Sequence, residues 1–336
     1  MIDFLDATDE LLRQGAAQLS PKFREAQIDF VLTQQADDGG FVGSAGPADL
    51  YYTDFAVRCL ILLDGPKQPL RTSESSTVGN GAMITSFSSP LGEVGRGLDS
   101  ARDREVAPMG PIGTVDDAPV LSHAAGWVER QTPADLIHCF CALNTRRLLR
   151  TRGIALRELT GPSSATPGDH AYGLFLGLLI RQLRQESPGE GVAAALRPLR
   201  RGDGGFAESV RGKHGHTNAT AAALASLWIT GEADAEALGS ALDFLAARQT
   251  ADGGFCAHAG IRSADLLSTF TALLSLAILG RTDVDLAGVA RFLRQVARPG
   301  GGFAATTDAA APVDVEYTWY GVGLACLLRQ LSALNS

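Results

Sequence analysis

The sequence predicts an all-α fold built from about six helical-hairpin repeats, stacked either as a closed ring or as an open solenoid. Three observations lead there. An ungapped repeat ends in Gly-Gly-Phe. An apolar run of helix length follows each copy, and an acidic residue opens most of those runs.

The repeat is clearest in Phe30–Phe41, Phe244–Phe255 and Phe292–Phe303, and Arg201–Phe206 keeps its closing half. The last three Gly-Gly-Phe units end at 206, 255 and 303, so they recur after 49 and 48 residues. That period suits one helix–turn–helix unit with a loop. In each unit a helix ends near a Gln or Arg, where glycines permit the left-handed backbone that stops it. The Phe packs back as an anchor. A polar loop follows, and then Asp49, Asp265 or Asp314 caps free N–H groups of a second helix.

Those second helices, such as Leu266–Leu279 and Thr318–Leu328, are apolar nearly all round and so belong between neighbours. The first helices carry more charge and suit an outer layer. Weaker units start at Asp135 and Asp169, and a further inner helix follows His214. Asp49, Asp135, Asp169, His214, Asp265 and Asp314 therefore mark six inner-helix starts. Residues 66–120, rich in Gly, Ser, Pro and Thr, show no sustained apolar period. They read as a disordered or irregular insertion in one domain spanning 1–336.

Composition narrows the function. Of 336 residues, 45% are hydrophobic, and no run approaches the ~18 apolar residues of a membrane-spanning helix. The first residues carry Asp3, Asp6, Asp9 and Glu10, the wrong charge for a secretory signal, so a cytoplasmic location is expected. A net charge of −8 argues against nucleic acid. Five cysteines lie in or beside apolar segments and read as reduced core residues.

The Gln-x-x-x-Gly-Gly-Phe signature, followed by Asp-x-x-(Tyr/Ser)-(Thr/Gly), resembles the prenyltransferase and squalene-cyclase repeat superfamily. The likeness is greatest to the β subunit of Rab geranylgeranyltransferase and covers roughly 25–62 and 125–332. It implies an (α/α)6 toroid whose aromatic-lined cavity holds an isoprenoid chain. It also implies a basic rim for the diphosphate, a thiol-activating zinc ion, and a helical-repeat α subunit as partner.

Carried over residue by residue, the zinc Asp falls on Asp265, but the Cys position holds Leu267 and the His position holds Tyr317. Leucine has no donor atom and neutral tyrosine is a poor zinc ligand, which removes the support for thiolate activation. His138 and Cys141, one helical turn apart, offer two ligand types without a third. The diphosphate positions fall on His214, Arg262 and His258, with Lys213 beside them. These remain basic and suit phosphate oxygens.

Asp314-Val315-Glu316-Tyr317 also resembles the Asp-x-Asp-Asp motif of class II terpene cyclases, with Glu316 at the acid's position. A carboxyl facing an apolar cavity holds its proton more tightly and can act as a Brønsted acid. Aromatic residues on the inner helices suit an isoprenoid cavity, Tyr52, Trp319 and Tyr320 foremost among them. Three functions follow as expectations. The leading one is an isoprenoid-diphosphate-binding transferase with an altered metal site. The alternatives are a cyclase using Glu316 with Asp314, and a non-catalytic toroid that binds a lipid or a protein.

Overall fold

A computed structural model describes residues 3–64, 118–159 and 170–334. Asp116, Asp117 and Asp169 lie outside the described residues, as does most of the 66–120 segment. Its last residues are helical, because α4 begins at Ala118.

The chain opens with α1 (Phe4–Ala16), capped by Asp3, and α2 (Pro21–Leu32), capped by Ser20. The chain continues through α3 (Leu50–Asp64), α4 (Ala118–Arg130), α5 (Leu136–Thr151) and α6 (Ala171–Leu183). They continue as α7 (Val192–Leu196), α8 (Thr217–Thr230), α9 (Ala235–Ala246) and α10 (Leu266–Ile278). The last pair is α11 (Leu286–Val296) and α12 (Val315–Leu334).

The open alternative is settled by packing. Helix α3 packs on α5, α5 on α6, α6 on α8, α8 on α10, α10 on α12, and α12 returns to α3. The six inner helices therefore close a ring. Helices α2, α4, α7, α9 and α11 each pack on the inner helix that follows them. The unit before α6 has no outer helix among its described residues, where six full hairpins were expected.

The repeat signature has a specific structural meaning. The helices stop at Leu32 and Ala246, before the signature glutamine, so the glycines do not terminate them. Instead, Gln35 and Phe41 pair across a tight turn, as do Gln249 and Phe255. Gln249 Nε2 donates to Gly253 O at 2.9 Å, clamping the turn, and to Asp285 O at 2.9 Å, joining it to the next outer helix. Gly253 has φ +99°, and a Cβ there would lie 2.1 Å from Gly288 O. Only glycine satisfies both conditions.

The anchoring Phe side chains are buried, and each backbone N–H finds a threonine hydroxyl on the following inner helix. Phe41 reaches Thr53 (3.0 Å), Phe206 reaches Thr220 (2.9 Å), Phe255 reaches Thr269 (2.9 Å) and Phe303 reaches Thr318 (3.4 Å). Loops also interlock between units. Thr217 N donates to Ala257 O and Leu266 N to Ala305 O, both at 2.8 Å, so each inner helix begins against the next unit's loop. The inner-helix N-termini consequently gather at one rim.

Helix α1, read in the sequence only as a charge pattern, fills the opposite end. It packs along α12 and touches α3. Gly15 lies so near α12 that a Cβ would meet Cys326 O at 2.0 Å. Phe4 stacks edge-on with Phe175 of α6 and Trp228 of α8, at 5.3 and 5.8 Å between centroids. Asp6 and Asp9 pair with Arg147 of α5 at 3.1 and 2.7 Å. All four buried cysteines, Cys59, Cys141, Cys256 and Cys326, carry free thiols, and Cys139 is half-buried.

Candidate functional site

At the rim, Asp49, Asp135, Asp265 and Asp314 each accept a backbone N–H three residues on, at 2.7–3.1 Å. All four are helix caps. His170 caps α6 through its Nδ1, which accepts from Gly173 N at 3.0 Å. Helix α8 begins after His216 rather than His214, and no side chain caps it.

The basic loops adjoin one another. The His216 and His258 rings lie 4.8 Å apart, and His216 Nδ1 is 3.4 Å from Glu208. His214, Lys213 and Arg262 are exposed on these same two loops, while His258 is half-buried and accepts from Gly260 N. Arg201 shapes the first loop by donating to the carbonyls of Gly212, Ser209 and Val210 at 2.7–3.1 Å.

The positions implied for zinc offer a poor donor set. Asp265 is occupied as the cap of α10, donated to by Ser268 N at 2.7 Å. Leu267 brings no donor, and burial pushes the Tyr317 phenol up to about 12, so it stays neutral. Among the described residues no group of three or more His, Cys, Asp and Glu side chains could hold a metal. His138 Nδ1 is bound to Asp135 at 2.8 Å, and Cys141 is buried with its thiol held protonated by desolvation. The residues present do not fit zinc.

Below the rim the ring interior is aromatic. Tyr51 packs on Tyr52 (5.4 Å) and Phe55 (4.8 Å), Phe55 on Tyr320 (5.4 Å), and Phe270 on both Tyr320 (5.5 Å) and Trp319 (6.4 Å). This continuous wall comes from α3, α10 and α12. Of the three cavity residues singled out in the sequence, Trp319 and Tyr320 sit in it. Tyr52 lies at its upper edge, against Gly43 of the rim loop.

Glu316 is set into that wall. Its Oε1 accepts from Tyr51 Oη at 2.7 Å and from Tyr320 Oη at 3.4 Å. Burial raises its carboxyl above the usual range, the nearby Asp314 adds to this, and the two phenols only partly offset it. Asp314 is also raised by burial, but its carboxylate is engaged by backbone N–H groups. Of the two, Glu316 is the one held by phenol hydroxyls, where Asp314 is held by backbone N–H groups.

Two residues deeper in the ring went unnoticed in the sequence. Arg58 Nη2 lies 2.6 Å from Asp54 Oδ2, and Asp54 is fully buried, taking Asn144 Nδ2 (2.8 Å) and Thr145 Oγ1 (3.1 Å) on its other oxygen. The signal was there, as an acid–base pair four residues apart on the apolar helix Leu50–Leu63. Tyr172 also faces inward. It keeps 43% of its surface accessible, yet burial lifts its phenol to about 12, with the nearby Cys141, Glu316 and Asp54 adding to the shift.

A family model for the prenyltransferase alpha-alpha toroid domain matches residues 4–256 and 240–336. Among solved structures, the chain is similar to Candida albicans protein geranylgeranyltransferase-I, determined in complex with GGPP. That match has 17% identity and a TM-score of 0.45, and covers 56% of this chain and 65% of the other. The chain thus spans about 65% of that protein's length. It is also similar to the type II terpene cyclase MstE from Scytonema, solved in the apo form. There the identity is 13% and the TM-score 0.42, with 66% and 85% of the two chains covered. No curated protein matches the sequence.

Proposed function

The chain belongs to the prenyltransferase alpha-alpha toroid family, and from that premise we propose that it binds an isoprenoid diphosphate. The hydrocarbon chain would lie in the aromatic interior and the diphosphate against the basic rim. The observation that carries this reading is the unbroken wall of Tyr51, Phe55, Tyr320, Phe270 and Trp319 inside a closed ring. Such a wall accepts a polyene through dispersion and π contacts and offers little to a polar ligand.

The rim loops carrying His214, Lys213, His258 and Arg262 supply the anion's partners. Arg262 and Lys213 bring permanent charge, and the histidines bring donors that strengthen on protonation. Transfer to a zinc-bound thiolate has no support from the donor set at Asp265, Leu267 and Tyr317. A helical-repeat α subunit remains the partner this reading expects.

Calorimetry with farnesyl and geranylgeranyl diphosphate tests the proposal. Micromolar binding should weaken about tenfold or more in His214→Ala/Arg262→Ala, since each lost charge-assisted contact is worth about 1.5–3 kcal/mol. Absence of binding in the folded wild-type chain would sink it.

A second reading has one specific observation behind it, the buried Glu316 carboxyl held by two phenols within the aromatic wall. In that reading the Glu316 O–H proton passes to an alkene carbon, a C–H bond forms, and the adjacent carbon becomes a cation beside aromatic faces. Tyr51 Oη then stabilises the carboxylate left behind. Ring closure and loss of a proton from the product cation would complete the turnover. Glu316→Gln should abolish cyclisation while the chain still folds, and retained cyclisation would remove Glu316 from the reaction.

A further inference from the structure

The aromatic interior contains one feature a hydrocarbon ligand does not need. Arg58, two turns below the first turn of α3, stands 5.3–5.6 Å from the centroids of Phe55, Phe140 and Trp319. A buried ion pair such as Asp54–Arg58 is poor evidence for stability, since apolar residues of similar volume usually do as well. Its presence among the aromatic rings of the interior asks for another reason.

Only one arm of the guanidinium is used. Nη2 lies 2.6 Å from Asp54 Oδ2 as an ion pair, Nε is buried without a hydrogen-bond partner, no acceptor among the described residues reaches Nη1, and the side chain keeps 17% of its surface accessible. Asp54 cannot turn away, because Asn144 and Thr145 hold its other oxygen. Asn144 is in turn held by Arg147 through Nε and Nη2 at 3.2 and 3.1 Å, and Arg147 pairs with Asp6 and Asp9 of α1. The guanidinium is thus fixed by a ladder running from the helix that fills the far end. Tyr172, whose phenol feels the fields of Arg58, Asp54 and Glu316, faces the same space.

Charge decides what Nη1 can receive. Around Arg58 stand the carboxyl of Asp54 and, through α1, that of Asp9, whereas Arg147 is already engaged by Asp6 and Asp9. A second anion would meet this acidic surround with one guanidinium that is already half-satisfied. A neutral oxygen needs only a donor.

We propose that the deep interior is a hydrogen-bonding subsite for a neutral oxygen, a hydroxyl, carbonyl or ether, on the isoprenoid's inner end, with Arg58 as the donor. The inference rests on the isoprenoid reading above and narrows its substrate class to chains oxygenated away from the diphosphate. A purely hydrocarbon tail would strip water from Arg58 and return nothing to it.

The test measures dissociation constants for four C15 probes by competition: farnesene, farnesol, farnesyl diphosphate and 12-hydroxyfarnesyl diphosphate. Farnesol should bind about tenfold tighter than farnesene, and the hydroxylated diphosphate about tenfold tighter than the plain one. Both gains should vanish in Asp54→Leu/Arg58→Leu, which removes the pair together and leaves no lone buried charge. Where that variant fails to fold, Tyr172→Phe and Arg58→Lys should each shrink the gains. Equal binding within each pair, or a gain that survives every variant, overturns the proposal. Diphosphates that bind no tighter than farnesol, with farnesol still ahead of farnesene, would remove the basic rim and keep the subsite. Failure of all four probes to bind would remove both.

Discussion

Asp265 caps α10, Glu316 sits in the first turn of the equivalent helix α12, and the two are put to different uses. Asp265 spends its carboxylate on Ser268 N, while burial raises its proton affinity. Asp265→Asn keeps a capping oxygen and removes the charge, so the melting temperature should hold or rise. Asp265→Ala loses the cap and should cost about 1 kcal/mol. For Glu316 the sign runs the other way from a surface carboxylate. Its folded value is raised, so the folded state holds the proton more tightly than the unfolded chain. Its contribution is favourable below the unfolded value of about 4.3 and is lost as pH rises through the higher folded value. Urea midpoints of the wild type should therefore fall relative to Glu316→Gln from about pH 4 upward. Equal slopes would mean an unperturbed carboxyl. Glu316 was legible because the repeat fixes its place in the first turn, whereas Asp54 and Arg58 were read as part of an apolar helix. The pairing of His216 with His258, in place of His214, depends on how two loops meet, which spacing alone does not encode.

At the level of elements, the Gly-Gly-Phe signature works as a joint between helices more than as a stop. The turn at Gly253 presses its backbone onto that of Gly288. Gly253→Ala combines a forbidden backbone region, about 1–2 kcal/mol, with a backbone clash. Gly239, exposed within α9 with nothing near its would-be Cβ, is the control. Gly239→Ala should stabilise by about 0.5–1 kcal/mol, and chemical denaturation of the two variants reads both signs. The alternation of outer and inner helices was legible because burial on two sides leaves inner helices apolar all round. Missing from that reading was α1, whose charged face disguised a buried one, with Leu5, Thr8, Leu12 and Ala16 inward. The short α7 and the bare stretch before α6 also escaped it, since neither unit carries a full signature.

For the molecule as a whole, closure changes how stability is shared. An open repeat array unfolds piecewise when its interfaces weaken, but a ring has no free end from which to fray. Far-UV circular dichroism and tryptophan fluorescence should therefore report one coincident transition. Trp127, Trp228 and Trp319 lie on α4, α8 and α12, spread around the circle. Leu12→Ala, at a fully buried position of α1, should lower the whole transition by about 2–5 kcal/mol without splitting it. A separate early phase would show α1 to be an appendage.

The seam of the ring sets a timetable for synthesis. Helix α12 is the partner of α1, α3 and α10, and all three leave the ribosome before it. A nascent chain still lacking the 20 residues of α12 holds five inner helices, with the apolar flanks of α3 and α10 facing a gap. Until α12 emerges and closes the ring, those flanks are open to association between neighbouring chains.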